Sequence, residues 1–314
     1  MKILSIDGGG IRGIIPAMIL AKIEQKTGNP ICQNFDLIAG TSTGGIIAIG
    51  VTVPHDDGKS LVYSAQEMVD LYVKEGTHIF SRSIWHTIKS LDELTGPKYQ
   101  AEGIEHVLKQ YFGNGIIGDA KTKIMIPAYD IEERSNFFFK NTDPNSNSFL
   151  AWQAARATSA APTYFPPFSL PRKGSPSPYG FVDGGVFANN PAMCALVEAI
   201  KIEPESSISD HTVISIGTGN STRPINVQTA TGWGLAQWIH PLIDVMFDGI
   251  SDVADIELSW LLPETKYIRI QLTISPSDQA MDDTSVTQNL VDVANKYLDS
   301  PEGIKTLEDV VKNL

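Results

Sequence analysis

The sequence predicts a three-layer α/β/α fold with a mostly parallel central sheet. Three observations carry this reading. Short apolar strands alternate with segments of helical periodicity along the chain. Two early strands run straight into glycine-rich turns that open helices. The chain has 314 residues, 42% hydrophobic and 19% charged, a globular composition rather than a disordered one.

The elements follow in order. Residues 3–6 read as a strand, and residues 13–26 as a helix with Ile14, Ala17, Met18 and Ala21 at helical spacing. Residues 35–39 form the next strand, which ends in Gly40-Thr41-Ser42-Thr43-Gly44-Gly45, and a helix over 43–51 follows at once. Residues 55–118 read as a mainly helical insertion punctuated by Gly96-Pro97 and the glycines of 113–118. Strands resume at 124–129 and 136–139. A helix at 149–158 leads into a proline-rich stretch, and residues 171–180 are a loop by composition. Then come Phe181-Val182-Asp183-Gly184-Gly185, a helix over 191–202 and a strand over 213–216. An apolar helical stretch spans 233–262, a strand follows at 267–272, and two amphipathic helices finish the chain. With no repeat and no dividing linker, the expectation is one domain over 1–314 with a helical C-terminal part from about 233.

Charge and composition narrow the function. The net charge is −12, which disfavours a nucleic-acid binder that works through a general basic field and disfavours tight adhesion to anionic lipid. Two cysteines, Cys32 and Cys194, can make neither a disulfide framework nor a four-ligand zinc site, and both read as buried thiols. The N-terminus lacks the apolar core of a signal peptide, and no apolar run is long enough for a bilayer. The expected location is the cytoplasm.

The first turn, Asp7-Gly8-Gly9-Gly10-Ile11-Arg12-Gly13, satisfies the spacing of a dinucleotide fingerprint. The acidic residue that would hold a ribose is missing, because Asp36 sits at the start of the next strand rather than its end. Consecutive glycines at a helix N-terminus present free amides that suit a phosphate or an oxyanion, and Arg12 adds a positive charge. The second turn matches the G-x-S-x-G of a nucleophile elbow, with Ser42 at its strained centre.

A serine nucleophile needs a base. In a Ser-His-Asp esterase it would be His211 or His240. His211 precedes a strand and belongs at the amino end of the sheet, while His240 lies within a helical stretch. All six histidines, residues 55, 78, 86, 106, 211 and 240, read better as surface or partly buried residues. Asp183, followed by two glycines that let the chain turn away, is the alternative base. Taken alone, Asp-Gly-Gly is equally a structural turn.

Four stretches resemble the patatin-like phospholipase family in order and approximate spacing. They are residues 7–13 (DGGGIRG), 40–45 (GTSTGG), 155–167 (ARATSAAPTYFPP) and 182–185 (VDGG). The likeness is clear over about 1–220 and extends to the end of the sequence through 213–220 and 233–252. It implies that Ser42 and Asp183 form a catalytic dyad without a histidine, and that Gly8, Gly9 and Gly10 form the oxyanion hole with Arg12 beside it. It further implies hydrolysis of fatty-acyl esters of membrane phospholipids or related lipids through an acyl-enzyme, with no cofactor and no catalytic metal. The alternatives are a Ser-His-Asp esterase and a non-catalytic lipid-binding protein. In its size the chain resembles compact bacterial family members, some of which are effectors switched on by a cyclic oligonucleotide. That analogy adds an activator of this class to the expected partners, beside the acyl lipid, transient membrane contact and a second copy of the chain. Phe165, Pro166, Pro167, Phe168 and the 233–262 helices are candidates for the rim of an acyl pocket, with core packing as the alternative. For 233–262 as a whole, a lid, an oligomer contact and plain core all stay open.

Overall fold

The computed structural model describes residues 1–55, 61–79, 97–220 and 224–314, without the side chains of residues 236 and 240. Its centre is a mixed, mostly parallel sheet with helices on both faces. The strands are β1 (Lys2–Ile6), β2 (Leu37–Gly40), β3 (Lys123–Asp130), β4 (Ser135–Lys140), β5 (Phe168–Leu170), β6 (Tyr179–Asp183), β7 (Thr212–Ile216) and β8 (Tyr267–Ile270). Their order is β5-β6-β3-β2-β1-β7-β8, and β4 pairs with β3 off this path. The pairs among β1, β2, β3, β7 and β8 are parallel, while β4, β5 and β6 join antiparallel.

The strand period of two builds the layers. Leu4, Ile6 and Ile38 face one side, where they meet α1 (Ile14–Thr27) and α2 (Thr43–Gly50). Ile3, Leu37, Ala39 and Val213 face the other, where Ala192, Ala195 and Leu196 of α6 (Ala192–Ile202) and Leu258 of α7 (Leu235–Leu261) cover them. Helix α1 also packs against α3 (Ala65–Ile79) and α8 (Thr287–Leu298), with α9 (Pro301–Asn313) behind. Helix α4 (Ala101–Phe112) packs on α5 (Ala151–Thr158). The two central strands are buried along almost their whole length, as parallel strands covered on both faces must be.

Two features differ from the sequence reading. Residues 179 and 180 belong to strand β6 rather than to a loop, and a short strand β5 pairs with it. The reason is aromatic packing that composition does not show. The Tyr179 and Phe181 rings stack at 5.1 Å and both meet Phe137, at 5.5 and 5.0 Å, while Phe139 lies 5.3 Å from Phe181.

The sheet brings distant segments together at one place. β3 pairs with β2 through residues 123–125 and with β6 through 128–130, while β4 pairs with residues 125–130. β4 overlaps both others, so β2 and β6 must share the opposite edge of β3. They run toward each other along that edge, because β2 is parallel to β3 and β6 is antiparallel. Their tips meet near Pro127, with Ser42 beyond the end of β2 and Asp183 at the end of β6.

The elbow after β2 allows no bulk. A Cβ on Gly44 would lie 2.2 Å from the Ile6 carbonyl oxygen, and one on Gly40 would lie 2.1 Å from that of Gly44. These obstacles are backbone, which cannot rotate aside. Overpacking a yielding side chain costs about 1–3 kcal/mol. Gly44→Ala is therefore expected to lose at least about 3 kcal/mol, read as a lower urea midpoint at unchanged m-value.

Candidate active site

Ser42 caps the N-terminus of α2 in a conformation L residues avoid, with φ 54° and ψ −120°. Such strain persists only where the surroundings over-determine it. The Ser42 amide donates to Thr158 Oγ1 at 3.0 Å, and the Thr158 hydroxyl donates to the Pro127 carbonyl at 2.6 Å. One side chain of α5 thus ties the elbow to the β3 residue where the two strand tips meet. On the other side, the Thr41 hydroxyl donates to the Ala188 carbonyl at 2.6 Å.

Asp183 is wholly buried. Its amide donates to the Ala160 carbonyl at 3.0 Å, and its Oδ1 accepts from the Gly185 amide at 2.7 Å. Oδ2 is buried with no partner in hydrogen-bond geometry among the described residues. Burial drives the carboxyl up from 3.8 to about 7, and the opposing contributions come from the Ser42 hydroxyl beside it and the Gly185 amide. A carboxylate near neutrality with one free oxygen next to a strained serine is equipped to take a proton; unliganded sites commonly hold such pairs loosely.

The glycine turn lies against this pair. A Cβ on Gly8 would sit 3.3 Å from Ser42 Cβ and 2.3 Å from Asn189 Oδ1. The Gly8 amide donates to the Asn189 carbonyl at 3.0 Å, so it is already occupied. The Gly9 and Gly10 amides donate to nothing among the described residues, which makes them the turn's two free donors. Thr218 holds the turn from outside by donating to the Gly8 carbonyl at 2.9 Å. Arg12 is buried, with Nε donating to the Gly9 carbonyl and Nη1 to the Gly219 carbonyl, each at 3.3 Å. Burial works against its charge, and Asp248 and Asp244 of α7 support it. Arg12 and Asp248 line a small polar pocket together with Gly8, Asn189, Ser251 and Asp252.

Asp7 fixes the turn to the far edge strand. Arg269 of β8 grips its carboxylate bidentately, Nη1 to Oδ1 at 3.0 Å and Nη2 to Oδ2 at 2.6 Å, and Nη1 also donates to Ser215 Oγ at 2.7 Å.

The residue family model for patatin-like phospholipases matches residues 4–196. Patatin-like protein 4 of Arabidopsis thaliana is 32% identical, covering 96% of this chain and 84% of its own. Patatin-like protein 2 of Oryza sativa subsp. indica is 33% identical over 95% and 84%, respectively. The chain belongs to the patatin-like phospholipase family. It is accordingly a lipid acyl hydrolase. Among solved structures, VipD from Legionella pneumophila aligns over 93% of this chain and 66% of its own, with a TM-score of 0.38 and 12% identity.

Within this phospholipase fold several expectations find their place and others do not. Ser42, Asp183 and the glycine turn come together. His211 does not join them: it is buried at the amino end of β7, its Nδ1 3.2 Å from the N-terminal amine and its Nε2 2.9 Å from Ser206 Oγ. It is a core residue rather than a surface one. The side chain of His240, and His86 altogether, lie outside the described residues. Asp36 accepts from the Lys2 amide at 2.7 Å. Cys32 is buried, but Cys194 of α6 is only half-buried, packed against the edge of the apolar cluster between that helix and the sheet. Phe165 and Phe168 are core, flanking the buried Arg156 guanidinium at 5.7 and 5.5 Å, so they do not line an acyl pocket rim. Thr158, Asn189 and Thr218 escaped the sequence reading. Thr158 and Thr218 lie inside stretches that the family likeness covers, whereas nothing local singles out Asn189.

Arg269→Ala would leave Asp7 buried and unpaired, a loss that costs about 3–5 kcal/mol. The expected outcome is a large fall in chemical stability, measured by urea unfolding. Replacing both partners, Asp7→Leu with Arg269→Met, is expected to recover part of that loss while ester hydrolysis stays impaired.

Proposed function

We propose that this lipid acyl hydrolase works through a Ser42–Asp183 dyad and an acyl-enzyme. The observation that carries the reading is the convergence of β2 and β6 on one edge of β3, which sets a strained serine against a buried carboxyl raised to about 7. Asp183, as carboxylate, takes the Ser42 proton while Oγ attacks the acyl carbonyl. The Gly9 and Gly10 amides receive the oxyanion. Asp183 then returns the proton to the departing alcohol, and water repeats the sequence to free the fatty acid. No histidine takes part.

Membrane phospholipids or related acyl lipids are the proposed substrates, with Arg12 near the head-group phosphate. Among the described residues no helix is long and apolar enough to cross a membrane. We place the enzyme in the cytoplasm, meeting the bilayer only during turnover. Activation by a cyclic oligonucleotide rests on likeness to compact family members alone, and its test is lipid hydrolysis by the purified enzyme with and without cyclic di- and trinucleotides.

Ser42→Ala and Asp183→Asn are each expected to lower kcat/KM on a fluorogenic ester and on a phospholipid by at least about a thousandfold, with losses that do not add in the double variant. More than about a tenth of wild-type activity in either would overturn the dyad.

The raised carboxyl also fixes the pH dependence. The base form is lost as pH falls through about 7, so kcat/KM should drop about tenfold per unit below that point. Stability runs the opposite way. Between 3.8 and about 7 the native carboxyl holds a proton that the unfolded chain has released, so this group's contribution is full below that window and lost as pH rises through it. Asp183→Asn should flatten this part of a plot of unfolding free energy against pH.

A further inference from the structure

Helix α7 presents two faces. Phe247, Ala254 and Leu258 are buried against the domain, and Ser251 accepts from Asn189 Nδ2 at 2.9 Å. A second row faces solvent. It starts at Leu235, steps by four and three residues alternately through Met246, Gly249 and Val253, and ends at Trp260. Leu235 is 93% exposed and Trp260 83%, so the row is open at both ends as well as in the middle. A seven-residue repeat with two apolar places is the seam of a helix pair, narrower than the broad apolar face of an ordinary surface helix.

We propose that this row docks on the same row of a second copy, with the two α7 helices antiparallel. The register follows from sequence spacing. With the two-fold axis between residues 247 and 248, Leu235 meets Trp260 of the second copy, Ile239 meets Ile256, Leu242 meets Val253 and Met246 meets Gly249. Every place in the row is then filled. The long Met246 side chain lies over a residue without one, and a Cβ on Gly249 would meet nothing within 4 Å in its own chain.

Charge selects the direction of the pair and counts against an anionic lipid surface in its place. In a parallel pair Asp252 would flank Glu257 of the other helix, five residues on, two like charges side by side. The antiparallel pair sets Asp252 beside Val245 instead. It brings Glu257 near the N-terminal end of the opposite helix, where the helix dipole favours an anion. A lipid surface is the weaker occupant, because residues 233–262 contain no Lys or Arg, the cations with which an interfacial helix holds anionic head groups.

The full chain is expected to sediment as a dimer at micromolar concentration. Val253→Asp, an exposed position outside the active site, should raise the dimer dissociation constant by about thirtyfold or more, the scale of a central contact position. Its circular dichroism should stay that of the wild type. Orientation is read by cross-linking. A Leu235→Cys chain mixed with a Trp260→Cys chain should join through a short bis-maleimide, while neither should join to itself above the wild-type background from Cys32 and Cys194. Self-joining of Leu235→Cys chains would overturn the antiparallel register. A wild-type chain that stays monomeric at about 100 μM, about a hundredfold above a micromolar constant, would overturn the dimer. So would a monomer that binds phosphatidylcholine vesicles through this row and loses that binding in Val253→Asp.

Discussion

Strand β3 has two edges, and β4 takes one of them along residues 125–130. The other edge must serve β2 and β6 in turn, and most of the site follows from that constraint. With the parallel strand on residues 123–125 and the antiparallel strand on 128–130, the two meet tip to tip. Each tip then has to leave the sheet at once, through Gly40-Thr41-Ser42 on one side and Gly184-Gly185 on the other. The glycines belong to that collision: a Cβ on Gly184 would lie 2.4 Å from the Pro127 carbonyl oxygen, at the meeting point itself. Serine and aspartate face each other because the two chains have nowhere else to go.

The loops at this end of the sheet are held by backbone groups rather than by side-chain bulk. The Gly8 and Asp183 amides donate to the Asn189 and Ala160 carbonyls, and the Thr41 and Thr158 hydroxyls donate to the Ala188 and Pro127 carbonyls. Each bond joins segments far apart in sequence, so the elbow, the glycine turn and the DGG turn are fixed as one unit. Asp7 and Arg269 anchor that unit to β8 through a buried charge pair, where a lost partner costs more than the intact pair contributes. Rigidity of this kind is what an oxyanion site requires, since donors that are already aimed need no reorganisation during the reaction.

Burial has opposite consequences at the two charged groups of the site. At Asp183 it raises the carboxyl toward neutrality and turns a weak base into one suited to a hydroxyl proton. At Arg12 it presses against the charge, and the carboxylates of α7 supply the support. That helix therefore serves two surfaces, the polar pocket over the glycine turn and the apolar row on its outer side. A second copy seated on the outer row would hold Asp244 and Asp248 in place through the same rigid element.

Strand β1 with its glycine turn, β2 with the Ser42 elbow and the helices that follow were legible in the sequence. They are local as patterns: each is an apolar run bounded by glycine, complete within a few consecutive residues. Asp183 was visible as a candidate, yet composition alone left Asp-Gly-Gly as a turn, and only the family likeness tied it to Ser42. The direction of β6, the proton affinity of Asp183 and the loss of the Gly8 amide to Asn189 belong to the tertiary structure. So do the burial of Phe165 and Phe168 and the outward row of α7. Each depends on groups brought together from distant parts of the chain or on which side of an element meets the core. A linear pattern fixes the period of an element, but its surroundings decide what its side chains touch and how much water they keep.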